Sequence, residues 1–126
     1  PEIDPGSLVP MMLPLVEHGE QSVVGEVLWV DHFGNAQFNI TPEDLKLVGI
    51  GMGTAIVLRI SSAEFAIDWV TAYGDVEDGE GLLHADSYGQ IALAVRNGRA
   101  VDSYPVDAGT AVTIRAGSPS LQITGA

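Results

Sequence analysis

The sequence contains no cysteine. Disulfides, thiolate nucleophiles and thiolate metal ligands are therefore excluded. Positive charge is also scarce. Five basic residues, Lys46, Arg59, Arg96, Arg99 and Arg115, face 17 acidic ones and are dispersed along the chain. A net charge of −12 opposes nucleic acid and anionic membranes as partners, because phosphate contacts need clustered Lys and Arg. The three histidines, His18, His32 and His84, have no close metal-ligand spacing, which argues against a metal site. No run approaches the roughly 20 apolar residues of a membrane span. Residues 8–16 are apolar but short, broken by Pro10 and Pro14, and lack the basic leader of a signal peptide. With Pro1 rather than an initiator Met at its start, the chain is expected to be a piece of a longer, cytoplasmic protein.

What is present suits one domain with a real core: 126 residues, 46% of them apolar. Residues 1–20 carry Pro1, Pro5, Pro10 and Pro14, which rule out a regular helix, so this stretch is expected to be an extended arm from another domain. Strands are expected at 21–31 and 36–40. Val27, Trp29 and Asp31 are placed on one face of the first, Leu28 and Val30 on the other. Thr41-Pro42-Glu43-Asp44 is a helix start, with a capping hydroxyl, a proline at the first helical position and two acids at the positive helix end. Further strands are expected at 54–60, 64–70, 82–86, 88–95, 99–104 and 111–115. Asn97-Gly98 would join two of them as a tight hairpin turn. The pattern predicts an all-β fold: a small antiparallel Greek-key barrel-like domain over 21–116, with one short helix, no internal repeat and a loose tail at 117–126.

Two polar constellations stand out. In Asp31-His32-Phe33-Gly34-Asn35 a carboxylate and a carboxamide lie four residues apart on a turn at the end of a core strand. They could grip a small ligand, or only hydrogen-bond the turn backbone as Asx residues often do. Farther along, Ser87 and Gly89 form a corner whose hydroxyl and backbone N–H groups could receive a carboxylate, and Tyr73 could offer a flat face to a planar ligand. Here too the alternative is structural, with Ser87 capping a turn and Tyr73 in the core. No Gly-x-Ser-x-Gly elbow is present to make a serine nucleophile.

Asp31-His32-Phe33-Gly34-Asn35 with Asn39-Ile40 behind it, Thr71-x-Tyr73-x-x-Val76, Ser87-Tyr88-Gly89 and the Ala94-Val95…Asn97-Gly98 segment occur in that order. Together they resemble the C-terminal domain of the S-adenosylmethionine hydroxide adenosyltransferases, relatives of the fluorinase and chlorinase that use the same substrate. The resemblance runs over about residues 25–115.

The resemblance implies a β domain that works with a larger N-terminal α/β domain in a homotrimer, with substrate between the N-terminal domain of one subunit and the C-terminal domain of its neighbour. The reaction implied is attack of activated water, as hydroxide, on the ribose C5′ of S-adenosylmethionine, releasing methionine and forming adenosine, with no cofactor. The groups that activate water would lie in the N-terminal domain, so no catalytic residue is expected here and these residues alone should not turn over. By match of position, Asp31 would hold the methionine ammonium, Asn35 would read adenine, and Tyr73 would lie beside the base. Ser87 and the backbone near Tyr88 would meet the methionine end, and Val95 to Asn97 the adenine edge. Departures exist. Asp86 stands for the family's Asn before the serine, Phe38 for its Thr before Asn39, and Arg96-Asn97-Gly98 for Asn-Gly-Gly. Gln37 stands where the halogenases carry an aromatic, and Tyr88 where they carry an arginine. The last two favour the hydroxide branch. The readings left beside it are a non-catalytic β-barrel module and half of a halogenase site.

Overall fold

The computed structural model describes residues 16–71 and 73–118, without the side chain of Tyr73. Eight strands run in chain order: β1 (Glu17–Gly19), β2 (Ser22–Val30), β3 (Ala36–Phe38), β4 (Ile56–Ile60), β5 (Ala63–Trp69), β6 (Gly81–Ala85), β7 (Ile91–Val95) and β8 (Ala111–Ala116). Seven of them close a barrel in the order β2-β3-β7-β6-β5-β4-β8, with β8 pairing back onto β2. Every pair is antiparallel except β5 with β6, which is parallel. Closure leaves no free edge along most of the sheet, the hazard that open β-sheets must otherwise manage. β1 lies on β2 through Glu17 opposite Val24, so the last residues of the expected arm are strand.

Alternation of apolar residues fills the barrel. Phe38, Ile40, Leu58, Ile60, Leu83, Leu93 and Ile114 are fully buried in one cluster. β5 behaves as its pattern requires, with Ile67 and Trp69 buried and Ala66 and Asp68 exposed. β2 does not. Val27 pairs with Phe38 but Trp29 pairs with Gln37, so a bulge at Leu28 shifts the register. One extra residue reverses which side chains face inward. Val27 is buried while Trp29 is 49% exposed, which corrects the expectation that they share a face.

The helix α1 (Pro42–Leu47) begins as its sequence demands. The Thr41 hydroxyl oxygen accepts the Asp44 N–H at 3.2 Å, and Asp44 Oδ2 accepts the Thr41 N–H at 2.9 Å, a reciprocal capping box. Asp44 Oδ1 lies 2.9 Å from His18 Nε2, joining α1 to β1. Thr41→Ala is expected to cost about 1 kcal/mol in denaturant unfolding. Burial alone would raise the Asp44 carboxyl, but the Thr41 backbone, His18 and the Thr41 hydroxyl outweigh it and hold the group below its ordinary 3.8. A depressed folded value means that the unfolded chain binds more protons in acid, so stability rises with pH there. The contribution is complete above about pH 4 and fades as pH falls through the lowered folded value. Asp44→Asn should flatten that part of the melting-temperature profile, which thermal scans from about pH 2 to 6 would check.

A second short helix, α2 (Ala100–Ser103), replaces the strand expected at 99–104. The reason is topological. β7 is already paired on one side with β6 and on the other with β3, so a hairpin partner after Asn97-Gly98 has no edge to join. Asn97 takes φ +56, Gly98 donates its N–H to Val95 O at 3.2 Å, and the chain turns away into α2. Similarly, residues 88–90 belong to a turn, and β7 starts only at Ile91.

Candidate functional site

Two hairpins of the barrel, β2–β3 and β6–β7, are closed by the same turn. In the first, Asp31 N–H donates to Asn35 O at 2.9 Å and Gly34 N–H to Asp31 O at 2.9 Å. Asp31 Oδ1 accepts the N–H groups of Phe33 and Asn35, both at 2.9 Å. In the second, Asp86-Ser87-Tyr88-Gly89-Gln90, Asp86 N–H donates to Gln90 O at 2.8 Å and Gly89 N–H to Asp86 O at 3.0 Å. Asp86 Oδ1 accepts Tyr88 N–H at 2.9 Å and Gln90 N–H at 3.0 Å. The glycines have φ +85 and +82, a region that costs other residues strain. The shared pattern is Asp, any residue, aromatic, Gly, amide. It is too short to register as a sequence repeat.

Because β3 and β7 are antiparallel neighbours, the two turns sit at opposite ends of the three-residue β3. Between them Trp29, Gln37, Ala92 and His84 form one row across β2, β3, β7 and β6. Ala92 is buried in this row, whereas Trp29 is exposed. The row is the floor of a cleft of about 320 Å³, rimmed by Asp31 and Asn35 at one end and by Asp86, Ser87 and Tyr88 at the other. Gln37 Nε2 donates to Asp86 Oδ2 at 2.7 Å, tying the floor to the second turn. The other carboxylate is unlike it: Asp31 Oδ2 and the Asn35 carboxamide carry no hydrogen bond among the described residues.

Asn35 also lines a second cleft, about 360 Å³, with Phe33, Val95, Asn97 and Gly98. The structure thus brings Asp31, Asn35, Ser87 and Tyr88 around the first cleft and Asn35, Val95 and Asn97 around the second. The Val95 side chain is buried, so its backbone is what that segment can present. Asn97 donates its amide to Asp78 Oδ1 at 2.7 Å. Tyr73 opens a 3₁₀ turn, Tyr73–Asp75, and its side chain lies outside what is described. Residue-type reasoning passed over Trp29, His84 and the pairing of Gln37 with Asp86 as parts of this cleft. The recurrence of Asp-x-aromatic-Gly-amide at 31 and 86 was the available signal.

The first turn is clamped from outside. Val101 N–H, in α2, donates to Gly34 O at 3.1 Å, and Arg99 Nη1 donates to His32 O at 3.2 Å. A Cβ on Gly34 would come within 2.8 Å of Arg99 Cβ, whereas one on Gly89 would meet nothing within 4 Å. Both Gly→Ala changes are expected to cost about 1–3 kcal/mol from the positive φ, and Gly34→Ala distinctly more than Gly89→Ala because Arg99 Cβ lies in the way, in paired denaturant titrations. Equal costs would mean that the clamp is not tight.

The family model for the S-adenosylmethionine hydroxide adenosyltransferase C-terminal domain matches residues 25–113, a span that holds both turns and the whole floor. The chain belongs to this family. Among curated relatives of this adenosyltransferase domain, an (R)-S-adenosyl-L-methionine hydrolase of Salinispora tropica is 37% identical over 117 residues, covering 93% of the chain and 42% of the relative. A fluorinase of Nocardia brasiliensis is 30% identical over 101 residues, covering 78% of the chain and 34% of the relative. The chain thus spans about two fifths or less of the length of these relatives. Among solved structures, an uncharacterized conserved protein from Thermotoga maritima is similar with a TM-score of 0.73 and 34% identity, covering 81% of this chain and 38% of that one. Among the described residues of the domain, no group of three or more His, Asp or Glu could hold a metal ion, and no helix is long and apolar enough to cross a membrane.

Proposed function

We propose that this domain is the substrate-holding half of an S-adenosylmethionine hydrolase. The observation that carries the reading is Asn35. It lines both clefts, together with Asp31, whose Oδ2 has no hydrogen bond among the described residues, in the first and with Val95 and Asn97 in the second. An elongated amino-acid nucleoside fits such a pair. Asp31 Oδ2 would accept the methionine ammonium in a charge-assisted hydrogen bond. Asn35 would pair with the N6–H donor and N7 acceptor of adenine, a match that an amide can make bidentately. The Ser87 hydroxyl and N–H would meet the methionine carboxylate, since the Tyr88 N–H is held by Asp86 Oδ1. Phe33, with Tyr73, would pack against the base.

The reaction is displacement at the ribose C5′. Water, losing a proton as it attacks, forms the C5′–O bond. The C5′–S bond breaks and its electron pair returns to sulfur, giving neutral methionine thioether and adenosine. A sulfonium leaves readily, so the work of the protein is positioning and desolvation. The groups that activate water are assigned to an N-terminal α/β domain, contributed across a homotrimer interface, and the site uses no metal or cofactor.

The test joins or mixes this domain with its α/β partner and supplies S-adenosylmethionine with and without halide. Adenosine release without halide, absent from either part alone, is the expected result. A halogenated nucleoside would place the domain in a halogenase, and no turnover would leave a non-catalytic module.

A further inference from the structure

The two turns end in carboxylates that differ in a way the ligand would sense. Asp31 leaves one oxygen open. Asp86 has none to spare, since three N–H donors from Tyr88, Gln90 and Gln37 converge on its two oxygens. Three donors and no acceptor is the environment of an ionised carboxylate. Asp86 therefore sits in the cleft as a fixed, hydrogen-bonded charge. Among the residues lining the cleft there is no Lys or Arg to neutralise it.

We infer that Asp86, held by Gln37, is a specificity-determining residue that selects the positively charged sulfonium over neutral thioethers. The inference rests on the functional reading above and adds to it. S-adenosylmethionine carries two cationic centres, the ammonium and the sulfonium. Asp31 is positioned for a direct bond to the first. Asp86 acts on the second at longer range, through the field of a part-buried charge at the far rim of the same cleft. The substrate alone carries the sulfonium charge. Once C5′–S cleavage returns the electron pair to sulfur, that attraction ends, which favours product departure.

The experiment uses the complete protein and two ligands that do not react: S-adenosylhomocysteine, a neutral thioether, and an aza analogue of S-adenosylmethionine with a protonated nitrogen in place of sulfur. Both keep the ammonium and the carboxylate, so any general effect of Asp86 on the amino-acid end cancels in the ratio of their dissociation constants. Asp86→Asn keeps an Oδ1 acceptor for the Tyr88 and Gln90 N–H groups, and the Gln37 amide can turn to accept from the new Nδ2. Asp86→Ser, which retains a hydroxyl acceptor for the turn, is the second variant. Calorimetric titration should show the preference for the cationic ligand falling about three- to tenfold in both variants, the size of a charge-charge term at several ångströms in a partly wet site. An unchanged ratio in a folded variant would overturn the inference while leaving the functional reading intact. Failure of both ligands to bind the unmutated protein would overturn both.

Discussion

Replacing Asp31 with asparagine in the complete protein is expected to raise the Michaelis constant for S-adenosylmethionine about 10- to 100-fold while leaving the fold unchanged. The two oxygens of this carboxylate have separate duties. Oδ1 accepts the Phe33 and Asn35 N–H groups and shapes the turn. Oδ2 has no hydrogen bond among the described residues, and Asp31 lines the cleft. Asparagine keeps the first acceptor and turns the second into an N–H donor, which cannot accept from an ammonium. The loss corresponds to about 1.5–3 kcal/mol, the range for a hydrogen bond to a charged group. Asp31→Ala would remove both duties and confuse binding with folding, so asparagine is the informative change. Initial-rate kinetics together with a melting curve decide it: an unchanged Michaelis constant refutes the role given to Oδ2, and a lowered melting temperature would reveal a turn defect.

The largest stability effect is expected at Phe38, where substitution by alanine should cost about 3–5 kcal/mol. Phe38 is fully buried and lies in the three-residue strand that separates the two turns, opposite Val27 at the bulge. A cavity there cannot be filled by a neighbouring loop, because the barrel is closed on both sides of β3 by β2 and β7. For a domain of this size the melting temperature should fall by at least about 10 °C. Gln37→Ala, one residue away but on the outer face, removes only the hydrogen bond to Asp86 and should cost about 1 kcal/mol. Comparable losses at the two positions would show that β3 is not buried as described.

Much of the barrel is legible in the sequence because period-two burial is a local property. Phe65, Ile67 and Trp69 declare the inward face of β5, and Thr41, Pro42 and Asp44 declare the start of α1. What escapes depends on partners distant in the chain. The bulge at Leu28 is invisible until Val27 and Trp29 are laid against Phe38 and Gln37. Asn97-Gly98 carries a strong hairpin signal, yet β3, some sixty residues earlier, already occupies the edge that the hairpin needs. The same holds at the cleft. Asp31, Gly34 and Asn35 mark themselves as a polar turn at the end of a strand. The hydrogen bond from Gln37 to Asp86 spans 49 positions, and no local pattern announces it.

A crystal structure of the complete protein with adenosine and methionine bound tests the two-turn cleft as a substrate site most directly. The methionine nitrogen should lie about 2.7–2.9 Å from Asp31 Oδ2, with the adenine edge on Asn35 and the backbone of Val95 to Asn97. Nucleoside and amino acid bound elsewhere, with Asp31 Oδ2 facing solvent alone, would contradict it.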